Sequence, residues 1–464
     1  MPSPTSTQLT ALIVGSMFFM EQLDGTILAT ALPAIAHSLH VDTVATSVAL
    51  TSYIIGLAIF IPASGALADR LGSRTILMLA ICIFVGSSIF CGRAHSLLFL
   101  AAMRTIQGIG GALMVPVGRL AVIRSTPRDQ LVRTMTWMML PATLGPLLGP
   151  VVGGYITTWL SWRWNFYLNI PVGVIGLFLT YRYIPEVREP TPPPFDVKGL
   201  FLAGGGLAIL SVFAELFSHG SGSPLLVSCF LGVGLVLLGI YAYHAGRTSF
   251  PLLDLRLMRV QTFRISVLGG AASRIAVGSL PFLLPSFLQI GAGLSAAQSG
   301  LVTFVAPIGA IAMRPFVPAL LKRWGFRTIL MANGSSAALV FALIAAFRPS
   351  YPLWLLSVVL MLAGAAQSLQ FSAYNTVAYA DIPADRMSAA TSLYSTMQQI
   401  MLSAGICIAA GTLTILSKLH HNTPANMTDY ALGFVVTGAI SLFAVPLCAT
   451  LSPSAGASMS GNHR

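Results

Sequence analysis

The amino-acid sequence predicts an all-α integral membrane protein of fourteen transmembrane helices, in which two six-helix bundles flank two extra central helices. Three observations carry this prediction: the low charge content, the repeated long apolar runs and the uneven distribution of Lys and Arg between loops. Hydrophobic residues make up 55% of the chain and charged residues only 8%, against about 25% charged residues in ordinary soluble domains. Because so little of the surface is charged, most of it must face lipid.

Apolar runs of roughly 20 residues, the length that crosses a bilayer as a helix, recur along the whole chain. They centre near 9–32, 46–66, 75–92, 97–122, 131–157, 164–184, 199–217, 224–244, 264–287, 297–320, 328–347, 352–378, 388–413 and 431–451.

The loop charges predict an orientation. With the N-terminus in the cytoplasm, seventeen of the 25 Lys and Arg residues fall on the cytoplasmic side, and only Arg93, Arg163, Arg348 and Lys418 fall outside. This bias follows the positive-inside rule. The N-terminal segment also lacks the basic region of a signal peptide, so the first span is expected to stay in the chain. Both termini are therefore expected in the cytoplasm.

A six-plus-two-plus-six plan follows from two polar connections. The stretch Pro185–Val197 is rich in proline and charge and reads as an extended linker, and a second cytoplasmic connection precedes the last six spans. The predicted units are an N-terminal bundle at 1–184, a linker at 185–198, an inserted helix pair at 199–245, a linker at 246–263, a C-terminal bundle at 264–451 and a cytoplasmic tail at 452–464.

Several functional classes are disfavoured by the composition. The net charge of +12 does not indicate nucleic-acid binding, because the basic residues lie in short runs between apolar segments. The five cysteines form no CxxC pair, and the eight histidines have no metal-ligand spacing. The sequence contains no GxxxxGK[ST] loop for a nucleotide. We therefore expect no metal, no cofactor, no nucleic-acid partner and no enzymatic activity.

Two carboxylates lie inside the first apolar run. Glu21 and Asp24 are three residues apart, which places them on one face of a helix. Asp24 lies roughly 20 Å along that helix at 1.5 Å per residue. A carboxylate at such depth costs at least a few kcal/mol unless it faces a partner or a wet cavity. Acids in this position usually handle protons or ions.

The loop Gly65–Arg74, GALADRLGSR, follows the second span, and a related sequence, Pro318–Arg327, follows the tenth. In the first copy, glycines permit a tight turn, and a cluster of charges is expected to form a latch that differs between two conformations. Two such copies are expected of a transporter built from parallel repeats. The predicted gating residues are Gly65, Asp69, Arg70, Gly72 and Arg74.

The GALADRLGSR loop resembles the signature loop of the major facilitator superfamily. The segment Arg104–Ala112 on span four is similar to a second motif of that superfamily, and the resemblance implies that Arg104 helps to move a coupling proton. A third segment on span five resembles a motif of its exporters, with glycines every four residues for close helix contact and prolines that permit bending. Its residues are Gly145, Pro146, Gly149, Pro150, Gly153 and Gly154.

Further segments resemble the fourteen-span drug:proton antiporter branch of this superfamily. Leu23–Pro33, Trp162–Gly173 and Phe195–Gly199 match its hallmarks, except that Ala29 stands where asparagine is usual. The segments MVPVGRL, LPFLLPSFLQIG and FSAYNT resemble the MdtD-like subgroup in particular. The resemblance covers essentially the whole chain and implies the major facilitator fold, with Asp24 as the main proton carrier and Glu21 as a secondary one.

Basic side chains within spans indicate which charge the substrate carries. Arg119, Arg274 and Arg314 lie on spans four, nine and ten, and Arg274 is about 15 Å deep at helical rise. If they face the cavity, their field favours an anionic or metal-chelate substrate; alternatively, Arg119 and Arg314 snorkel or latch the inner gate. The predicted substrate-cavity residues are Arg119, Arg274, Arg314, Gln107, Gln289 and Asn375.

The resulting hypothesis is a monomeric, proton-coupled exporter of small molecules in a bacterial inner membrane, which works by alternating access and which its resemblance implies to be of the multidrug type. Its expected partners are the substrate, protons and the lipid bilayer, and its energy source is the proton gradient. Two alternatives stay open at this point. One is a specific exporter of an anionic metabolite or metal chelate, such as a citrate-like or siderophore-like molecule. The other is a non-transporting membrane sensor on the same scaffold.

Overall fold

A computed structural model describes residues 4–126, 131–189, 194–220, 222–383, 386–420, 426–453 and 455–456. The described chain is built of α-helices joined by short 3₁₀ segments, one π-helical turn and loops, which confirms the predicted all-α class. The described parts of the first predicted linker, 185–189 and 194–196, are not helical. Residues 190–193 of that linker and most of the predicted tail at 452–464 lie outside the described residues.

Within the described residues, eight helices form the N-terminal part, two lie in the centre and eight form the C-terminal part. In chain order they are α1 (Pro4–Ile27), α2 (Leu32–Leu39), α3 (Val48–Leu71), α4 (Ser73–Gly92), α5 (Leu97–Ser125), α6 (Leu131–Trp159), α7 (Trp164–Tyr167), α8 (Asn169–Tyr183), α9 (Val197–Ser218), α10 (Pro224–Arg247), α11 (Gln261–Ser286), α12 (Ala296–Thr303), α13 (Val305–Met313), α14 (Val317–Ala345), α15 (Leu353–Ala378), α16 (Met387–Leu419), α17 (Met427–Ser441) and α18 (Ala444–Ala449).

Twelve helical stretches of the described chain are long and apolar enough to cross a bilayer. One of them, Ala296–Ala345, has 50 residues and bends at Gly325, where φ is 71°; at 1.5 Å per residue it is long enough for two crossings. The predicted sixth span coincides with α7 and α8, of which α8 has only 15 residues. The chain is a multi-pass membrane protein, and the number fourteen stays a prediction.

The first span continues beyond its predicted end. A 3₁₀ segment at Leu28–Ala31 follows α1, and α2 then extends to Leu39. Pro33 lies in the first turn of α2, where its missing N–H leaves no hydrogen bond unmade. The change of helix type thus begins one turn after Asp24.

The molecule has two opposite sides, which we call the turn side and the far side. The turn side carries the turns at Gly72 and Gly325, and the far side is the opposite one. On the far side, one apolar core combines residues of both halves, for example Leu32 and Ile35 with Phe282 and Phe287. On the turn side, separate cores lie within the N-terminal half and within the C-terminal half. The structure is therefore closed between the bundles on the far side.

The inserted helices lie against both bundles. Helix α9 packs on its partner α10, on α3 of the N-terminal half and on α16 of the C-terminal half. Helix α10 is mostly exposed and only a small share of its residues is buried, as expected for a helix whose outer face contacts lipid. Of the two inserted helices, α9 is thus the one that connects the pair to both bundles.

Candidate functional site

Asp24 lies at the centre of a buried polar cluster in the N-terminal bundle. Its carboxylate accepts hydrogen bonds from Arg104 Nη1 at 2.5 Å, from Gln107 Nε2 at 2.9 Å and from Asn169 Nδ2 at 2.7 Å. These donors come from α5 and α8, and Asp24 itself is only 1% exposed. A buried carboxylate is stable when it is paired and hydrogen-bonded in this way. The structure thus brings Asp24 and Arg104 into one ion pair.

Arg104 is fully buried and is held on several sides. Its Nε donates to the carbonyl of Ala49 at 3.0 Å, and its Nη1 donates to Gln107 Oε1 at 2.7 Å. The guanidinium carbon lies 4.3 Å from the ring centroid of Tyr53, a distance at which an aromatic face attracts a cation. Arg104 is therefore fixed against Asp24 rather than free in a cavity.

Glu21 faces a different partner from Asp24. Its carboxylate accepts a hydrogen bond from the Tyr53 hydroxyl at 3.0 Å, and the side chain is buried. Gly111 on α5 leaves the room for this contact, because a Cβ built there would lie 2.9 Å from the Tyr53 hydroxyl. The two carboxylates share a helix face, as predicted, but only Asp24 is paired with a cation.

The glycines of α6 pack against the helix that carries both carboxylates. A Cβ built at Gly145 would lie 2.7 Å from Cβ of Gln22, and one built at Gly149 would overlap Thr26. Gly153 similarly contacts Ile27. These positions need glycine because the backbones of α1 and α6 approach closely.

The last glycine of the α6 motif faces the other bundle. A Cβ built at Gly154 would overlap the backbone of Ala296 on α12, and Gly300 on α12 makes the reciprocal contact with Pro150. Pro146 and Pro150 both lie inside α6, where each removes a backbone hydrogen bond. Helix α6 therefore links the Asp24-bearing helix on one face to the C-terminal bundle on another.

The turn at Gly72 is held by the end of α5 and by the linker. Gly72 has φ of 100°, a conformation that favours glycine. Asp69 accepts from Arg124 Nη2 at 2.6 Å, and its carbonyl accepts from the backbone N–H of Glu189 at 3.0 Å. Gly65 lies inside α3 with open space beside it, so the turn itself depends on Gly72.

The basic residues of the turn contact the linker as well. The Glu186 carboxylate accepts from the backbone N–H of Arg74 at 3.2 Å, and the two side chains lie 3.8 Å apart. The guanidinium of Arg70 lies 5.6 Å from the ring centroid of Phe195. In this conformation, the charges of the turn therefore have partners in the linker rather than only among themselves.

The six predicted cavity residues do not form one group. Gln107 belongs to the Asp24 cluster. Gln289 donates from Nε2 to the carbonyl of Thr30 at 2.9 Å, which joins the two halves near the far side. Arg119 is exposed, and Arg314 is exposed and donates to the Thr143 hydroxyl at 3.2 Å.

Arg274 and Asn375 lie together in the C-terminal half. Arg274 is 8% exposed and donates from Nη2 to the Tyr394 hydroxyl at 3.3 Å, and its guanidinium lies 5.5 Å from the ring centroid of Phe371. Asn375 accepts from Gln398 at 3.2 Å. Arg274 and Gln398 line one narrow recess, which has no room for a water molecule. Among the described residues, no carboxylate lies within 4.0 Å of Arg274, in contrast to Arg104.

Asn169 and Tyr53 contact Asp24 and Glu21 but are not among the predicted site residues. Asn169 lies within the segment Trp162–Gly173, and the resemblance of that segment to the antiporter branch is a signal for this position. Tyr53 lies in an apolar run and had no signal of its own. A helical pattern gives the face of a residue but not its partner on another helix.

Comparison with known proteins adds three findings. A sequence model described as the Major Facilitator Superfamily matches residues 14–406. The chain is 36% identical over 446 residues to a Pectobacterium atrosepticum protein named "Putative multidrug resistance protein MdtD", with 96% of each chain covered. It is 37% identical over 444 residues to an Escherichia coli protein of the same name, covering 96% of this chain and 94% of that one.

A solved structure is similar in fold. The crystal structure of the POT family transporter PepTSo superposes with a TM-score of 0.70 at 12% identity and covers 98% of each chain. At this identity the likeness concerns the fold alone.

Proposed function

This chain belongs to the major facilitator superfamily and is a transporter rather than an enzyme, and on that premise we propose that it exports small molecules, of the multidrug type, in exchange for protons. The observation that carries the proposal is the buried ion pair of Asp24 and Arg104, 2.5 Å apart. An ionisable pair inside a membrane span is a candidate proton relay. The names of the relatives support export of drugs.

The ion pair can couple proton binding to a change of packing. Protonation of Asp24 removes the negative charge that Arg104 neutralises, so the pair loses its charge-assisted hydrogen bond. Helix α1 carries Asp24 and packs through Thr26 and Ile27 on the glycine face of α6. Because α6 also contacts α12, a shift of α1 on α6 is transmitted to the interface between the bundles.

Antiport then requires that proton and substrate favour opposite states. The bundles are closed on the far side by a shared core, and their cores are separate on the turn side. We place the substrate between the bundles on the turn side, where its binding favours release of the proton. A ligand shifts such an equilibrium only through different affinities for the two states.

The loop charges support one orientation in the membrane. We propose that the turn side faces the cytoplasm, with both termini there, in a bacterial inner membrane. The proton gradient supplies the energy and the chain needs no cofactor. We further propose that the protein acts as a monomer, since each half already contributes to one shared far-side core.

Asp24→Asn tests the coupling role. In proteoliposomes with an imposed pH gradient, the variant is expected to lose active export, because an amide carries no titratable proton. Substrate-driven exchange without a gradient is expected to persist. The matched control is Glu21→Gln on the same helix face, which is expected to retain export at a reduced rate. Undiminished gradient-driven export by Asp24→Asn contradicts the proposal.

A second candidate concerns the charge of the substrate. Arg274 is buried without a carboxylate partner among the described residues and lies beside Phe371 and Tyr394. A buried cation that no internal acid neutralises favours an anionic ligand. An exporter specific for an anionic metabolite or a metal chelate fits this geometry.

Counterflow separates the two candidates. Proteoliposomes loaded with citrate-like anions or with cationic dyes are compared for the wild type, Arg274→Gln and the charge-preserving control Arg274→Lys. An anion exporter is expected to exchange anions and to lose that exchange in Arg274→Gln, with partial recovery in Arg274→Lys. Exchange of cationic dyes that is unaffected by Arg274→Gln supports the multidrug type instead.

A further inference from the structure

The inserted helix pair contains another carboxylate, Glu215 on α9, which connects the two bundles near the far side. We propose that Glu215 is a second proton-binding group of this transporter, and that its ionised form ties the far side closed. This inference rests on the proposed proton-coupled export. It gives the inserted pair a role in the transport cycle beyond filling space.

The contacts of Glu215 reach both bundles. The Thr51 hydroxyl on α3 donates a hydrogen bond to Glu215 Oε1. Cys407 Sγ on α16 lies 3.7 Å from the same oxygen and can donate its proton. The side chain of Glu215 is 15% exposed. One carboxylate oxygen is therefore shared between a donor of the N-terminal half and a donor of the C-terminal half.

The end of α9 is fixed at the same place. His219 Nδ1 lies 3.5 Å from Glu215 Oε2, and His219 Nε2 lies 3.1 Å from the carbonyl of Val44 in the N-terminal half. On the other side, a Cβ built at Gly411 of α16 would lie 3.3 Å from Cα of Ser218. The far-side end of α9 is thus wedged between the two bundles.

Three groups around the carboxylate interact more strongly with its charged form than with its neutral form, whereas burial by itself favours the neutral form. Thr51 and Cys407 offer protons to Oε1, and the ring of His219 approaches Oε2. Hydrogen bonds to a carboxylate are about twice as strong as those to a neutral acceptor. Protonation of Glu215 therefore weakens the contacts to both bundles at once.

The other helices packed on α9 add little charge at this level. On α3 the facing group is the neutral Thr51 hydroxyl. On α10, the adjacent far-side part at 224–234 has Cys229 as its one titratable residue, and that side chain is exposed. On α16, Lys418 lies further out, against Gly220 at the end of α9. His219 and Cys407 are thus the titratable groups in direct contact with Glu215.

Opening of the far side must strain this connection. The far-side core joins the halves, and α3 also packs directly on α16. Separation of α3 from α16 moves Thr51 away from Cys407, so Glu215 cannot keep both partners. Ionised Glu215 is therefore expected to favour closure, and protonated Glu215 to favour opening.

The test measures the far-side distance without substrate or a gradient. Spin labels are attached at His95→Cys and Ser350→Cys, exposed positions in far-side loops of the two halves, with the exposed Cys82 and Cys229 replaced by alanine. All measurements use an Asp24→Asn background, so that Asp24 does not contribute. Acidification from pH 8 to pH 5.5 is expected to increase the long-distance population, and adding Glu215→Gln is expected to abolish that increase.

Two variants, Glu215→Gln and Thr51→Val, separate proton binding from packing. Glu215→Gln keeps a side-chain oxygen that accepts the hydrogen bond from Thr51. If the role of Glu215 is purely structural, the pH response is therefore the same in this variant as in the protein that keeps Glu215. Thr51→Val removes the donor but keeps the carboxylate, and is expected to raise the long-distance population already at pH 8.

Three results overturn the inference: no pH response in the Asp24→Asn background, an unchanged response after Glu215→Gln, or a response lost in His219→Gln but retained in Glu215→Gln. Export by the wild type and by Asp24→Asn is measured separately. A failure of the proposed function therefore appears in transport, and a failure of this inference appears in the distances.

Discussion

Each bundle contains a buried arginine, and the two arginines have different kinds of neighbours. In the N-terminal half, Arg104 is paired with Asp24 at 2.5 Å and is fully buried. In the C-terminal half, Arg274 is also buried, but its neighbours are the Tyr394 hydroxyl and aromatic rings. The same fold thus contains one neutralised cation and one that is not neutralised by a described carboxylate.

This difference suggests a division of labour between the halves. A closed ion pair attracts no further charge from outside while both members are ionised, and Asp24 is the member of this pair that can take up a proton. A cation with only neutral neighbours still attracts an anion from outside. The N-terminal half is therefore suited to the proton and the C-terminal half to the cargo. The following predictions test that contrast, beginning with the change expected to cost the most stability and ending with the one expected to cost the least.

Replacement of Arg104 should lower the stability of the protein more than replacement of Arg274. Arg104→Leu leaves Asp24 buried without its partner and is expected to cost about 3–5 kcal/mol of stability, whereas Arg274→Leu leaves no carboxylate behind and is expected to cost less. Thermal unfolding of the purified variants in detergent measures both. The double variant Asp24→Asn with Arg104→Leu is expected to regain part of the stability but no export. Equal losses for both arginines remove the contrast.

The packing of α1 on α6 should tolerate no added side chain. Gly149→Val is expected to destabilise the protein by about 1–3 kcal/mol through overpacking, because a Cβ at this position already overlaps Thr26. Gly65→Ala on α3 is the matched control, since open space surrounds that glycine. Unfolding midpoints compare the two variants. A tolerated Gly149→Val shows that the helices can separate without loss of stability.

Asn169 should contribute through its hydrogen bond to Asp24. Asn169→Ala removes a donor to a charged group and is expected to cost about 1.5–3 kcal/mol, together with a reduced rate of gradient-driven export. Asn165→Ala, which removes the hydrogen bond to the Thr157 hydroxyl, is the control and is expected to cost about 0.5–1.5 kcal/mol. Stability and export are measured in parallel. Normal export by Asn169→Ala places Asn169 outside the coupling machinery.

The turns of the two halves should show the smallest difference in stability. Asp69 pairs with Arg124 at 2.6 Å in a partly exposed site, and Lys322 occupies the related position in the C-terminal turn and is exposed. An exposed ion pair contributes about 0–1 kcal/mol, so Asp69→Asn and Lys322→Gln are both expected to change the unfolding midpoint little. A large loss in Asp69→Asn alone shows that the linker contacts of this turn support the whole N-terminal bundle.

Much of the fold follows from the sequence. The long apolar runs require helices, since a bilayer satisfies no backbone hydrogen bond from outside, and the structure confirms the all-α class. The apolar pattern does not mark every helix end: the first span continues to Leu39 through a 3₁₀ segment. Where a helix changes type depends on its neighbours as well as on hydrophobicity.

The candidate site, like the fold, follows only in part from the sequence. Charge inside an apolar run is visible in one dimension, so the sequence alone predicts that Glu21, Asp24 and Arg104 lie within membrane spans. The pairing of Asp24 with Arg104 and the contact of Glu21 with Tyr53 are seen only in the folded chain. The same is true of the place of Gln107 in this cluster and of the contacts of Glu215 with both bundles. The physical reason is that a partner on another helix is chosen by the packing and rotation of the helices, and the one-dimensional pattern of a span fixes neither.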